Sequence, residues 1–142
     1  MLQRRRYFAA GVIARRTKKG LEFLVLEAEY ESGHREIKFP GGMEDKADSG
    51  NPHRTLREEI EEETGLRLKD GAEPRLIREV LKEDHQQFFF FLWRSNFRGS
   101  VRRVPIKDGL TVLHPPFWVN LETLRTRLYR THRPVLDTLP LF

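Results

Sequence analysis

The chain has no cysteine. Disulfide staples, thiolate metal sites and cysteine nucleophiles are therefore excluded together. It also lacks any apolar run near the roughly 20 residues that a membrane-spanning helix requires, so no membrane partner is expected. Repeats and low-complexity linkers are missing, and a chain of 142 residues suits one domain, 1–142, with a sizeable core. The basic start, Met1 to Arg6, runs into Tyr7-Phe8-Ala9-Ala10-Gly11-Val12 rather than a small-residue cleavage site. It reads as a basic leader on a first strand, not as a secretory signal. A cytoplasmic location is the expectation that follows.

Acids are outnumbered. There are 26 Lys and Arg against 21 Asp and Glu, a formal charge of +5, and the pI is ≈ 9.8. Such a balance points to an anionic partner, and nucleic acid, acidic lipid and phosphorylated metabolites all qualify. The basic residues are scattered over Arg4 to Arg6, Arg15 to Lys19, Arg94 to Arg103 and Arg125 to Arg133, with no recognisable nucleic-acid module. Charge alone thus supports a phosphate-bearing ligand and nothing narrower.

Local patterns predict the elements. Tyr7 to Arg15 and Glu22 to Ala28 read as a hairpin of two strands, joined by a turn at Arg16 to Gly20. A short extended piece, Glu36 to Phe39, stops at Pro40, and a turn at Gly41-Gly42 follows. Arg75 to Lys82 and Gln87 to Arg94 read as two more strands. The run Phe88-Phe89-Phe90-Phe91-Leu92-Trp93 is uniformly apolar, as in a central strand buried on both faces. Ser95 to Pro116 reads as irregular and Phe117 to Val119 as a short strand. Asn120 is expected to cap a helix to about Tyr129, with Leu121, Leu124 and Leu128 inward, and a last short helix covers about 133–139.

Against the basic background one stretch is acidic: five of the seven residues from Arg57 to Glu63 are glutamates. Asn51 is placed to cap a helix, Pro52 to occupy its first position and Gly65 to end it in the left-handed conformation. On that helix Glu59, Glu62 and Glu63 stand at i, i+3 and i+4, so their carboxylates share a face, beside an apolar stripe of Leu56 and Ile60. Three carboxylates held so close repel one another unless a cation sits among them. A hard, oxygen-seeking ion, Mg2+ or Mn2+, is the natural occupant. Glu58 and Glu61 fall on other faces and read as solvated or paired with Arg54 and Arg57.

Together with Pro40-Gly41-Gly42 upstream and Thr64-Gly65-Leu66 downstream, this stretch resembles the Nudix box, G-x5-E-x7-R-E-U-x-E-E-x-G-U with U aliphatic. Anchored on Gly65-Leu66, the tail fits as Glu59-Ile60-Glu61-Glu62-Glu63-Thr64-Gly65-Leu66. The chain departs from the pattern twice. Glu58 stands where the box has the arginine that orients the adjacent glutamate. The segment from Gly42 to Glu59 is longer than the pattern by two residues, which puts Gly50 at the mid-box glutamate position, with Glu44, Asp45 and Asp48 as substitutes, of which Asp45 and Asp48 also read as plain turn residues.

The resemblance implies an α/β fold, a Nudix-type α/β/α sandwich with a mixed central β-sheet. It implies hydrolysis of a diphosphate (pyrophosphate) linkage in a nucleoside-diphosphate-type substrate, with Glu59, Glu62 and Glu63 as catalytic metal ligands. Gly42 is counted at the metal site because glycine lets backbone approach ions or phosphates. The general base stays open among Glu83, Asp84, Asp108 and a box glutamate, with His85 and His114 able to carry protons at neutral pH. Lys38, Arg6 and Arg35 are the candidate substrate contacts, with Arg103 behind them. Tyr7 and Phe8 are assigned to the core rather than to base stacking. The partner expected is a nucleotide-derived small molecule; nucleic acid ranks below it, and a homodimer is compatible. The alternative is a catalytically weak or inactive Nudix-like domain that binds a nucleotide metabolite or RNA.

Overall fold

The computed structural model of the protein describes residues 6–45 and 50–139. A mixed sheet runs through the middle of the molecule. Its strands β1 (Arg6–Thr17), β2 (Gly20–Glu29), β3 (Arg35–Lys38) and β4 (Gly41–Met43) precede the helix α1 (Pro52–Thr64). Then come β5 (Arg67–Leu68), β6 (Arg75–Leu81), β7 (His85–Trp93), β8 (Phe97–Arg98), β9 (Ile106–Asp108), β10 (Thr111–Leu113) and β11 (Phe117–Asn120). The chain closes with α2 (Leu121–Arg127) and a 3-10 turn at Arg133–Thr138.

The sheet orders as β6-β7-β1-β2-β10-β9, with β11 and β3 also paired to β2 and β4 paired to β1. The β1–β7 pair is parallel, running from Arg6 opposite His85 to Ala14 opposite Trp93. The other pairs in this sheet are antiparallel, so the sheet is mixed. Its two faces are both covered. On one, Leu56 and Ile60 of α1 pack with Ala9, Ile13, Leu24, Phe90 and Leu92. On the other, Leu124, Leu128 and Val135 pack with Val12, Phe23, Phe89 and Phe91. The polyphenylalanine strand β7 therefore feeds both cores from alternate residues, as strand periodicity requires. This is the expected α/β/α sandwich with a mixed central sheet.

The hairpin, β7, α1 and α2 lie where local pattern puts them, within a residue or two at their ends. Two expectations need correction. The segment from Ser95 to Pro116 is not irregular: it holds β8, which pairs with β5, and the β9–β10 hairpin, which joins the main sheet through Val112 and Leu113 opposite Glu29 and Ala28. Three-residue strands of mixed polarity carry too little periodicity to be read before their partner is known. Gly41-Gly42 is not a turn either. It is strand β4, with Gly41, Gly42 and Met43 opposite Ala10, Ala9 and Phe8, and neither glycine is among those with positive φ.

Candidate active site

The helix that carries the glutamates is fixed at both ends. The Asn51 side chain accepts from the Arg54 N–H at 3.2 Å, Pro52 opens the first turn, and Gly65 closes the last at φ 82°. Its apolar stripe sits on β1 and β7, and the Tyr7 hydroxyl bonds Thr55 Oγ1 at 3.0 Å across the same contact. This seating turns Glu59, Glu62 and Glu63 toward a cleft of about 190 Å3, whose other wall is Ile106, Lys107, Asp108 and Leu113 of the β9–β10 hairpin.

Glu63 is buried, 4% exposed. Its Oε1 accepts from the Gly41 N–H at 2.8 Å, and its Oε2 lies 3.9 Å from Lys38 Nζ. Strands β3 and β4 thus hold one carboxylate with a backbone donor and a cation. Gly42 meets the other: a β-carbon there would stand 2.6 Å from the Glu59 carboxylate. Only glycine lets this backbone lie against that side chain, so the residue serves close approach and not a bend.

Burial first, then the neighbouring Glu63 and Glu62 charges, push the Glu59 carboxyl up to about 8. Burial likewise pushes Glu63 up to about 7, against the opposing pull of Lys38 and the Gly41 N–H. Asp108 raises both, so a fourth carboxylate reaches this field. Crowded acids that hold protons near neutral pH mark a place where a cation is wanted. The donors are all oxygen, which suits a hard divalent ion. Among the described residues no group of three or more acidic or histidine side chains is gathered into a finished cage, and the fit lies in donor chemistry and shared helix face.

The remaining candidates divide. Glu58 pairs with Arg54 on the outer side of α1 at 3.2 Å, and Glu61 pairs with Arg67 at 3.1 Å rather than with Arg57. Arg35 is engaged with Glu27 at 2.9 Å and Glu29 at 3.0 Å, and Arg6 is exposed at the start of β1; neither lines the cleft. Glu83 and Asp84 lie exposed at the β6–β7 connection, where Asp84 bonds His85 at 2.7 Å. His114 is tied to Glu29 at 2.7 Å. Of the open general bases outside the box, Asp108 is the one at the cleft. Glu44 is buried, with its N–H bonded to the Tyr7 carbonyl, Asp45 is exposed, and Asp48 lies outside the described residues. Tyr7 is core, 3% exposed.

Sequence reasoning missed Arg102. Its Nε donates to the Glu63 carbonyl at 2.8 Å, and its Nη1 donates to the carbonyls of Val104 and of Leu113, the latter at 3.2 Å. Its Nη2 reaches the His114 carbonyl at 3.3 Å. The backbone N–H of the same residue bonds the Thr64 carbonyl at 2.8 Å. A cation at a helix C-terminus meets both the dipole and the orphan carbonyls. Here it also ties the glutamate helix to the hairpin that bears Asp108. One arginine in a basic loop gives no sequence signal of this.

Comparison with known proteins agrees with the geometry. The model of the NUDIX domain family matches residues 5–139. Among solved structures, MutT NUDIX hydrolase from Burkholderia pseudomallei is similar at 21% identity and TM-score 0.67, covering 97% of this chain and 100% of that one. The NUDIX domain of Shewanella oneidensis NrtR, complexed with ADP ribose, is similar at 12% identity and TM-score 0.73, over 96% and 87%. A C. elegans Ap4A hydrolase is similar at 18% identity and TM-score 0.57, over 93% of each chain. No curated protein matches. With a sandwich of this topology, a glutamate helix seated against Gly41-Gly42 and a family match over almost its whole length, the chain belongs to the NUDIX family, the Nudix hydrolases.

Proposed function

We propose that the protein hydrolyses a diphosphate linkage in a nucleoside-diphosphate derivative, dependent on Mg2+ or Mn2+ held by Glu59, Glu62 and Glu63. The observation that carries this reading is the meeting of those three side chains and Asp108 in one cleft beside the β4 backbone. A divalent ion, when bound, neutralises phosphoryl oxygens and acidifies water.

The chain's own residues do the rest. Glu59 and Glu63 are held on a rigid helix, so they need little reorganisation. Lys38 steadies Glu63 from β3 and offers positive charge to a phosphate. Asp108, across the cleft, takes the proton as water adds to phosphorus and the bridging P–O bond breaks, leaving two phosphate-ended products. The chain as a whole carries a formal charge of +5, which favours polyanionic substrates.

The test is phosphate or nucleotide release from a panel of diphosphates with Mg2+, Mn2+ or chelator. ADP-ribose and diadenosine tetraphosphate head the panel, being ligands named for two structural neighbours. Turnover that needs the ion and falls at least about a hundredfold in Glu62→Gln supports the enzyme. Binding without turnover, unchanged in Glu62→Gln, would instead favour the non-hydrolytic binder, for which Glu58 in place of the box arginine is the motive.

A further inference from the structure

Strand β3 delivers Lys38 to Glu63, yet among the described residues only one of its edges meets a strand. That edge pairs with β2, from Lys38 opposite Leu26 to Arg35 opposite Glu29. The other edge meets the segment that follows α2. Leu128 forms a parallel bridge to Ile37, and the Tyr129 N–H donates to the Ile37 carbonyl at 2.6 Å. In a parallel ladder the next bond would run from the Phe39 N–H to the Tyr129 carbonyl. That carbonyl instead accepts from the His132 N–H at 2.9 Å. The Phe39 N–H donates to His132 Nδ1 at 3.2 Å, so an imidazole stands in for the missing carbonyl.

The substitute is closely packed. The His132 ring lies 7° from parallel to Phe39 at 5.7 Å, with Phe8 at 5.6 Å and Tyr129 at 5.4 Å. Phe39 is itself fully buried, so its N–H has no water to turn to and is costly to leave unpaired. From this anchor the chain runs directly to the carboxylates. Lys38, one residue before, holds its Nζ 3.9 Å from Glu63 Oε2. The Pro40 carbonyl accepts from the Gly11 N–H at 2.9 Å. The Gly41 N–H, two residues after the anchor, donates to Glu63 Oε1 at 2.8 Å. Both oxygens of the buried glutamate are thus met from within two residues of the amide that His132 holds.

We propose that His132 is a positioning residue for the carboxylate cleft. Its Nδ1 fixes the Phe39 amide from the far layer of the sandwich, and so sets where Lys38 and Gly41 meet Glu63. The effect on a divalent ion at Glu63 rests on the hydrolase reading; the positioning of the segment does not.

Two variants separate the acceptor from the packing. His132→Leu fills the core and removes the acceptor. His132→Asn leaves space but keeps an acceptor oxygen as many bonds from the backbone as Nδ1. His132→Met replaces the leucine variant if that one does not fold. Amide hydrogen exchange on the full chain, without metal, reads the segment directly. Val12 and Val25, in the middle of β1 and β2, report the change in global stability. Beyond that change, Gly41 is expected to exchange about tenfold faster in His132→Leu, as for one hydrogen bond lost. In His132→Asn it should move only with Val12 and Val25. Mn2+ titration, followed by the electron spin resonance of the free ion, reads the consequence. The dissociation constant should rise about tenfold in His132→Leu and little in His132→Asn. A role in packing alone would move Gly41 no more than Val12 and Val25, and would weigh most on the smaller asparagine. The proposal is overturned if Gly41 in His132→Leu exchanges faster only in step with Val12 and Val25, or if His132→Asn loses as much as His132→Leu. It is also overturned if His132→Leu binds Mn2+ as tightly as the wild type. A wild type that binds no Mn2+ would count against the metal-dependent reading instead, and exchange at Gly41 would then decide the positioning role.

Discussion

Individual side chains in the acidic cleft make opposing demands on the protein. Glu59 titrates near 8 instead of its ordinary 4.5, so between those values the folded state binds more protons than the unfolded. Stability from this group is complete below about 4.5 and is lost as pH rises through about 8. Without divalent ions, Glu59→Gln should therefore raise the melting temperature at pH 8 and change it little at pH 5. Mg2+ should stabilise the wild type at pH 8 and the variant far less; thermal melts with and without ion decide this. The adjacent glycines separate two kinds of crowding. An alanine β-carbon at Gly41 would stand 2.4 Å from the Ala9 carbonyl oxygen, in backbone that cannot yield, whereas at Gly42 it meets only the end of the Glu59 side chain. Gly41→Ala is expected to cost about 1–3 kcal/mol in denaturant unfolding. Gly42→Ala should fold normally and lose turnover, because Glu59 must swing aside.

At the scale of elements, the connection between α1 and the β9–β10 hairpin is the part most open to test. Arg102→Met removes donors to the Glu63, Val104, Leu113 and His114 carbonyls at once. A loss of about 1–3 kcal/mol follows from carbonyls left without their partner, and faster amide exchange should appear at Thr111 to Leu113 before it appears in β1 or β7. Unchanged exchange in β10 would show that the hairpin does not depend on this latch. The glutamate helix itself was legible in advance, since Asn51, Pro52 and Gly65 mark its ends and Leu56 and Ile60 its inner stripe. So was β7, whose aromatic run admits no exposed face. The β9–β10 hairpin was not. Ile106 and Leu113 are held by Leu26, Ala28 and Tyr30, partners some eighty residues away, and nothing within the strands announces them.

The whole molecule turns on two cores that flank one sheet, and His132 closes the second. It is 3% exposed, stacked on Phe39 at 5.7 Å and edge-on to Phe89 at 5.3 Å, and its Nδ1 accepts from the Phe39 N–H at 3.2 Å. Burial, aided by the Lys38 charge, holds it down to about 3 from 6.5. The unfolded chain thus binds the extra proton between those values, and stability falls as pH drops below 6.5, by up to about 1.4 kcal/mol per unit. His132→Gln should flatten that acid limb while lowering stability at pH 7; equilibrium unfolding from pH 4 to 8 measures both. Sequence alone determined the order of the main elements and the three glutamates on one helix face, because these follow from periodicity, caps and spacing within a dozen residues; the sandwich class came with the resemblance of that stretch to the Nudix box. Only tertiary structure decided that Gly41-Gly42 is a strand pressed on Glu59, that Lys38 meets Glu63 and Asp108 lines the cleft while Arg35 does neither, and that Arg102 locks helix to hairpin. Those are contacts between residues far apart in the chain. They exist only after non-local strand pairing has been made, and no local pattern encodes which partner a short strand or a single long side chain will meet.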